Sequence, residues 1–272
     1  MKFLNYLNIP LGRWFRVPVT LHWSWVLLFL FVLIAGGGNL AAVYAGAFFI
    51  VLLHEFGHCI AAQRYGIEPH SITLYPFGGA ARMRLPVEPV QEFVVALAGP
   101  LVNALLIAPL WFSASVHTVL ATLCYINIAI LLFNLLPIFP MDGGRVLRSL
   151  LSMIWKNHER ATVVAGRIGQ VGCIGFAIVG IMSGRFMLVV IGAFIAMAAE
   201  QEIRAAKGHR QLQDLYRTVT GDEPPAVSPH DVEASARMIS DIQRRLVSIQ
   251  SREEFDELSE RLDQETDNRH PR

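Results

Sequence analysis

The sequence predicts an all-α polytopic membrane protein with about six transmembrane helices, a small membrane-associated β-hairpin and a soluble helical C-terminal tail. Three observations carry that prediction. The 272 residues are 53% hydrophobic and only 17% charged, where soluble domains carry about 25% charge. The charge is also uneven, with 12 Lys+Arg and 6 Asp+Glu in residues 1–199 but 11 and 16 in residues 200–272. Finally, the apolar residues gather into runs close to the ~20 needed to cross a bilayer.

Taken in order, the candidate spans are residues 20–36, 40–63, 92–112, 118–140, 163–182 and 186–203. Gly36-Gly37-Gly38 supplies a turn between the first two, Ser113–His117 one between the third and fourth, and Ser183-Gly184-Arg185 one between the last two. The first run lacks a small-x-small cleavage site, so it is expected to be a retained helix rather than a signal peptide. Lys2, Arg13, Arg16, Arg64, Arg82, Arg84, Arg145, Arg148, Lys156, Arg160, Arg167, Arg204, Lys207 and Arg210 fall on one set of turns, and Arg185 alone on the other. Positive residues stay cytosolic, so six spans with both termini in the cytosol are expected, in a membrane of prokaryotic type. No basic stripe suggests nucleic acid. Cys59, Cys124 and Cys173 lie in apolar stretches without ligand spacing and read as free buried thiols.

Residues 67–89 are not a span, because Pro69, Pro76, Pro86 and Pro89 oppose helix. Ser71–Phe77 and Ala80–Leu85 read as two extended stretches turning at Gly78-Gly79. The expected domains are a membrane domain over residues 1–205, a linker over 206–229, a helical hairpin over 230–266 and a disordered end over 267–272. In the hairpin, Ile239, Ile242, Leu246 and Ile249 keep helical spacing, and Ser251 with Glu254 resembles a capping box ahead of Phe255, Leu258 and Leu262. That stripe either packs on itself or supports self-association.

Inside the second span stands His54-Glu55-Phe56-Gly57-His58. Ionisable residues are costly in hydrocarbon, so a cluster of three there points to a functional site. Histidines at i and i+4 of a helix project from one face and can share a zinc ion, with the intervening glutamate as general base. A hydrolytic zinc takes three protein ligands and one water. Of the carboxylates in the membrane part (Glu55, Glu68, Glu88, Glu92, Asp142 and Glu159), Asp142 is best placed. It follows the fourth span in Asn134-Leu-Leu-Pro137-Ile-Phe-Pro140-Met-Asp142-Gly143-Gly144, where two prolines break helix and two glycines permit tight bends. Such broken helix is tolerated at membrane depth where it lines a cavity. The histidines lie roughly 9–15 Å from the cytosolic end of their span at 1.5 Å per residue, and Asp142 precedes Arg145 at the same side.

With these residues assembled, the chain resembles the site-2 proteases, a family of intramembrane zinc metalloproteases. The resemblance rests on His54–His58, Pro76-Phe77-Gly78-Gly79, Ala98-Gly99-Pro100-Leu101-Val102-Asn103 and Asn134–Gly144, and covers residues 10–205. It implies one zinc per chain held by His54, His58 and Asp142, with Glu55 as catalytic acid/base. It also implies a membrane-anchored regulatory protein as substrate, cut within or near its transmembrane segment. Met141 stands where leucine is common in the family, an apolar exchange. No insertion has the size of a PDZ domain, and the tail is too short for paired CBS domains.

A substrate helix must unwind to expose a carbonyl, and its freed backbone groups need partners. The extended segment with Tyr75, Phe77, Gly78 and Gly79 is expected to supply them by strand addition. Asn103 and Asn134 are candidate oxyanion donors, with interhelical hydrogen bonding as their alternative role. A prenyl-protein protease arrangement would need a later glutamate ligand, and Glu159, Glu200 and Glu202 lack the context. A non-enzymatic metal-binding scaffold or transporter would have no use for Glu55 between the histidines.

Overall fold

The structure is a computed structural model that describes residues 8–76, 78–83, 88–248 and 259–261. The chain divides into two units, Met1–Ala199 and Glu200–Arg272.

The first unit opens with β1 (Asn8–Trp14) and β2 (Val17–His22), followed by α1 (Trp23–Arg64). Next come β3 (Pro69–Tyr75), β4 (Gly78–Met83), α2 (Pro89–Ser113), α3 (Thr118–Asn134), α4 (Asp142–Trp155) and α5 (His158–Met182). Helix α6 (Phe186–Thr220) begins in this unit and ends in the second. Among the described residues, four helices, α1, α2, α5 and α6, are long and apolar enough to cross a membrane. Six crossings require that α1 count as two and that the 17-residue α3 count as one.

The break in α1 falls at Gly37, whose φ of 73° favours glycine. Either side of it the chain doubles back: Trp25 packs against Tyr44 and Phe48, and Phe29 against Tyr44. Glycine thus turns one continuous apolar run into a helical hairpin, as the triple glycine predicted.

The expected β-hairpin belongs to a four-stranded sheet ordered β1-β2-β3-β4. The β1–β2 and β3–β4 pairs are antiparallel and β2–β3 is parallel. Val17, Val19 and Leu21 alternate inward from β2, and Ile72 and Leu74 from β3, onto Leu52, Phe56 and Cys59 of α1. The turn also differs from expectation. Gly78 and Gly79 are not the turn but the start of β4, pairing with Tyr75 and Leu74. The turn lies earlier, and the Tyr44 hydroxyl donates to the Pro76 carbonyl at 3.2 Å.

The fourth expected span is also shorter than its apolar run. Helix α3 stops at Asn134, and residues 135–141, which contain Pro137 and Pro140, are not helical. Ile138 packs among Cys173 and Ile195, and Phe139 among Ala165 and Ala199, so this break is buried against α5 and α6. Helix α4 then leads away from it, with Asp142 in its first turn. Cys59, Cys124 and Cys173 are free and buried.

In the second unit, residues 206–220 are helical rather than linker, because α6 continues to Thr220. Val219, Leu212 and Tyr216 of α6 pack with Ile242 of α7 (Val232–Ser248). Met238 and Ile242 are the buried residues of α7, while Ile239 and Leu246 of the expected stripe are exposed. Ile249, Ser251, Glu254, Phe255, Leu258, Leu262 and the end at 267–272 lie outside the described residues.

Candidate metal centre

The second half of α1 has two working faces, set by its ~3.6 residues per turn. Leu52, Phe56 and Cys59 face the sheet. His54 and His58, one turn apart, face α2, and Glu55 falls between those two faces. Gly57 and Gly99 allow the approach of α2. A Cβ on Gly57 would sit 2.7 Å from the Ala98 carbonyl oxygen, and one on Gly99 would overlap both imidazoles.

The two rings are held by their outer nitrogens. His58 Nδ1 lies 2.7 Å from the Val95 carbonyl oxygen, and His54 Nδ1 lies 2.5 Å from Asn103 Oδ1. The orientation of that amide can be worked out from its neighbours. Asn127 Nδ2 donates to the Asn103 backbone carbonyl at 2.8 Å, and a carbonyl can only accept. Asn127 Oδ1 therefore accepts from Asn103 Nδ2 at 2.7 Å, which turns Asn103 Oδ1 towards His54. Both Nδ1 atoms are donors, so in the neutral rings both Nε2 atoms carry lone pairs.

Those lone pairs converge. His54 Nε2 and His58 Nε2 are 3.1 Å apart, and Asp142 Oδ2 lies 3.1 Å from the first and 3.2 Å from the second. All three side chains are buried, and Asp142 Oδ2 has no hydrogen-bond donor among the described residues. A single proton could bridge only one pair of these atoms, whereas a cation at their centre meets all three. A tetrahedron with bonds of about 2.0–2.1 Å has edges of about 3.3 Å, close to the spacing found. Two imidazoles and a carboxylate also suit zinc by donor type. The residues present therefore fit the ion.

Asp142 reaches this point through the glycines that follow it. A Cβ on Gly143 would overlap the Leu135 and Leu136 carbonyl oxygens, and one on Gly144 would sit 2.7 Å from Ile138 and Phe139 backbone atoms. The start of α4 can thus fold back tightly on the broken segment.

The sequence of this chain matches the model of peptidase family M50 over residues 42–119 and 107–176. A zinc metalloprotease of Methanocaldococcus jannaschii is 34% identical over 239 residues, 83% of this chain and 68% of that protein. The chain belongs to peptidase family M50, the site-2 proteases. Its structure resembles a solved site-2 protease from Methanocaldococcus jannaschii with a TM-score of 0.55 and 30% identity, covering 72% of this chain and 95% of that one. Stage IV sporulation protein FB of Bacillus subtilis is 32% identical over 153 residues, 52% of this chain and 51% of that protein. The chain spans about two thirds of the first relative's length and half of the second's.

As a site-2 protease, the chain brings some expected residues to the centre and leaves others away from it. His54, His58 and Asp142 converge. Glu55 is partly buried and lies under β4, where a Cβ on Gly79 would stand 3.2 Å from its Cγ. Asn103 bonds His54 through its amide oxygen and Asn127 through its amide nitrogen, an interhelical arrangement. The Asn134 amide gives a hydrogen bond to the Ile130 carbonyl of its own helix at 3.1 Å. Tyr75 is on the interior strand β3, its ring 5.3 Å from that of His22. Phe77 lies outside the described residues. Sequence reasoning missed the Val95 carbonyl and ranked Asn127 below Asn103 and Asn134. A backbone carbonyl has no side-chain signature, and a lone asparagine 24 residues away has no spacing rule.

Proposed function

We propose that this site-2 protease hydrolyses a peptide bond within or near the transmembrane segment of a membrane-anchored regulatory protein. His54, His58 and Asp142 would hold one zinc ion, and Glu55 would act as acid and base. The observation that carries this reading is the convergence of three buried acceptor atoms beside a glutamate, on a chain whose relatives include a named zinc metalloprotease.

When bound, zinc supplies Lewis acidity to a carbonyl and makes water nucleophilic near neutral pH. Everything else falls to the chain. Asn127 orients Asn103, Asn103 fixes the His54 tautomer, and the Val95 carbonyl fixes that of His58. Glu55 takes a proton from the attacking water and returns it to the leaving amine nitrogen. Asn134 is the candidate for holding oxyanion charge that is not tied to a histidine, through its second amide hydrogen. Among the described residues, strand β4 pairs with β3 alone, which leaves its other edge open. An unwound substrate segment adding to that edge would run beside Glu55, since Gly79 brings β4 against that side chain.

The arginines flanking the spans support a six-span topology with both termini cytosolic and the site towards the cytosol. The exposed Ile239 and Leu246 of α7 leave self-association open to the tail.

The test uses detergent-purified protein and a tagged membrane substrate, assayed with chelator, after zinc is restored, and as Glu55→Gln. Chelator should stop cleavage, zinc should restore it, and Glu55→Gln should bind zinc but not cut. Unimpaired cleavage by Glu55→Gln would remove this mechanism.

A further inference from the structure

The mechanism leaves one buried ionic group unused. Glu92, near the start of α2, and Arg148, on α4, are among the most deeply buried charged residues, with 1% and 3% exposure. Arg148 Nε donates to Glu92 Oε1 at 3.1 Å, and Arg148 Nη2 donates to the same oxygen. The guanidinium also lies over the Phe139 ring, 4.9 Å from its centroid. Arg145 stands farther off, its Nε 3.9 Å from Glu92 Oε1.

Stability gives little reason for such a pair. Removing two charges from water costs several kcal/mol per ion, and apolar replacements of similar volume are often neutral or stabilising. What the pair does provide is a fixed distance. On α2, Glu92, Val95, Gly99 and Asn103 are spaced by three, four and four residues, which places them on one face. Val95 holds His58, Gly99 backs both imidazoles and Asn103 holds His54. Glu92 extends the same face to α4, six residues beyond Asp142. Arg148 closes the loop by stacking on Phe139, three residues before Asp142.

We infer that Glu92 and Arg148 are positioning residues for the metal centre: their ion pair clamps α4 and the segment before it to α2, setting Asp142 at the distance its oxygen needs to share an ion with His54 and His58. Helix α2 is then one ruler for the whole ligand set. It touches each histidine directly and reaches the aspartate through the ion pair. A packing role would act on the fold as a whole, whereas this role acts through the Asp142 carboxylate. The inference rests on the zinc-site reading above.

The experiment measures zinc affinity of the full-length, detergent-purified protein by competition with a chromophoric chelator. Thermal unfolding of the metal-free protein is followed alongside. His54→Ala is the benchmark: if it binds zinc as the parent does, the zinc-site reading itself fails. With that benchmark met, Glu92→Gln and Arg148→Met should each weaken zinc at least tenfold, and Arg148→Lys, which keeps the charge, should weaken it less. The fold-safe variant is Glu92→Leu/Arg148→Met, which replaces the pair by apolar groups. It should unfold near the parent temperature and still bind zinc at least tenfold more weakly. In an Asp142→Asn background the same changes should have little further effect, because the carboxylate they position is gone. Parent-like zinc affinity in the double variant would overturn the proposal. So would a loss that persists undiminished beside Asp142→Asn.

Discussion

Among the described residues, histidine meets carboxylate at two places, and only one of the two is a candidate for chemistry. His54 Nε2 meets Asp142 Oδ2 at 3.1 Å, and His230 Nε2 meets Glu202 Oε2 at 3.1 Å. In the first the side chains are 5% and 11% exposed, and in the second 39% and 24%. The first pair has a third donor, His58, at the same point, and an amide relay fixing the far side of the ring. In the second pair, water competes for both partners. A distance alone therefore does not make a site. Convergence, exclusion of water and an oriented outer nitrogen do.

The largest expected effect tests that contrast directly. Asp142→Asn or His54→Ala should lower proteolysis by about 10⁴-fold or more, as for removal of one member of a catalytic unit, and should weaken zinc binding in an equilibrium-dialysis measurement. Glu202→Gln should leave cleavage unchanged and shift stability by no more than the ~0–1 kcal/mol of an exposed pair. Comparable loss of activity in both would erase the distinction.

The next effect sharpens what the relay contributes. Removing an outer partner of a metal-binding histidine costs about 10–100-fold in metal affinity or activity. Asn103→Leu should fall in that range for zinc, because it frees the His54 ring and strands the Asn127 amide. Asn127→Leu should cost less, since Asn103 can still accept from His54. Equal zinc affinity in parent and Asn103→Leu would show that the ring needs no such support.

A third expectation separates binding from catalysis. Gly79→Val adds a branched side chain where even one Cβ lies 3.2 Å from Glu55 Cγ and 3.3 Å from Val51 Cγ1. Either β4 or Glu55 must shift, and misplacement by about 1 Å can cost 10²-fold in rate. Cleavage should fall by about that factor while zinc affinity holds. A fall in zinc affinity of the same size would mean that β4 supports the ligands rather than the base.

What could be read from the sequence follows the same division. The three converging residues were legible because one helical turn joins His54 to His58 and because Asp142 is a rare carboxylate in an apolar chain. The bend of α1 was legible because only glycine tolerates the φ found at Gly37. Helix α4 was not read, because Asp142–Trp155 mixes Arg145, Arg148 and two serines with apolar residues and fails a test for uniformly apolar runs. Strands β1 and β2 were missed because Val17, Val19 and Leu21 alternate only briefly before α1 begins. The Glu92–Arg148 and Asn103–Asn127 contacts join helices 56 and 24 residues apart, and no local periodicity reports such distances.

The smallest expected effect lies in the exposed unit and concerns pH. His209 of α6 is half-buried, and that burial, with His230 adding to it, holds its pKa below the ordinary histidine value of 6.5. Glu202 of α6 is the acidic group paired with His230 in the same unit. A histidine depressed in the folded state binds fewer protons than it does unfolded, so folding loses stability as pH falls. The contribution is complete above about pH 6.5, the unfolded value, and drains away as pH drops through the lower folded value. Limited proteolysis of residues 200–248 in the full chain should therefore quicken between pH 7.5 and pH 5, by at most about tenfold per unit of pH. His209→Gln, which cannot take a proton, should flatten that trend without altering zinc binding. A pH response that survives this substitution would place the sensitivity in another group and remove the tail histidine from the account.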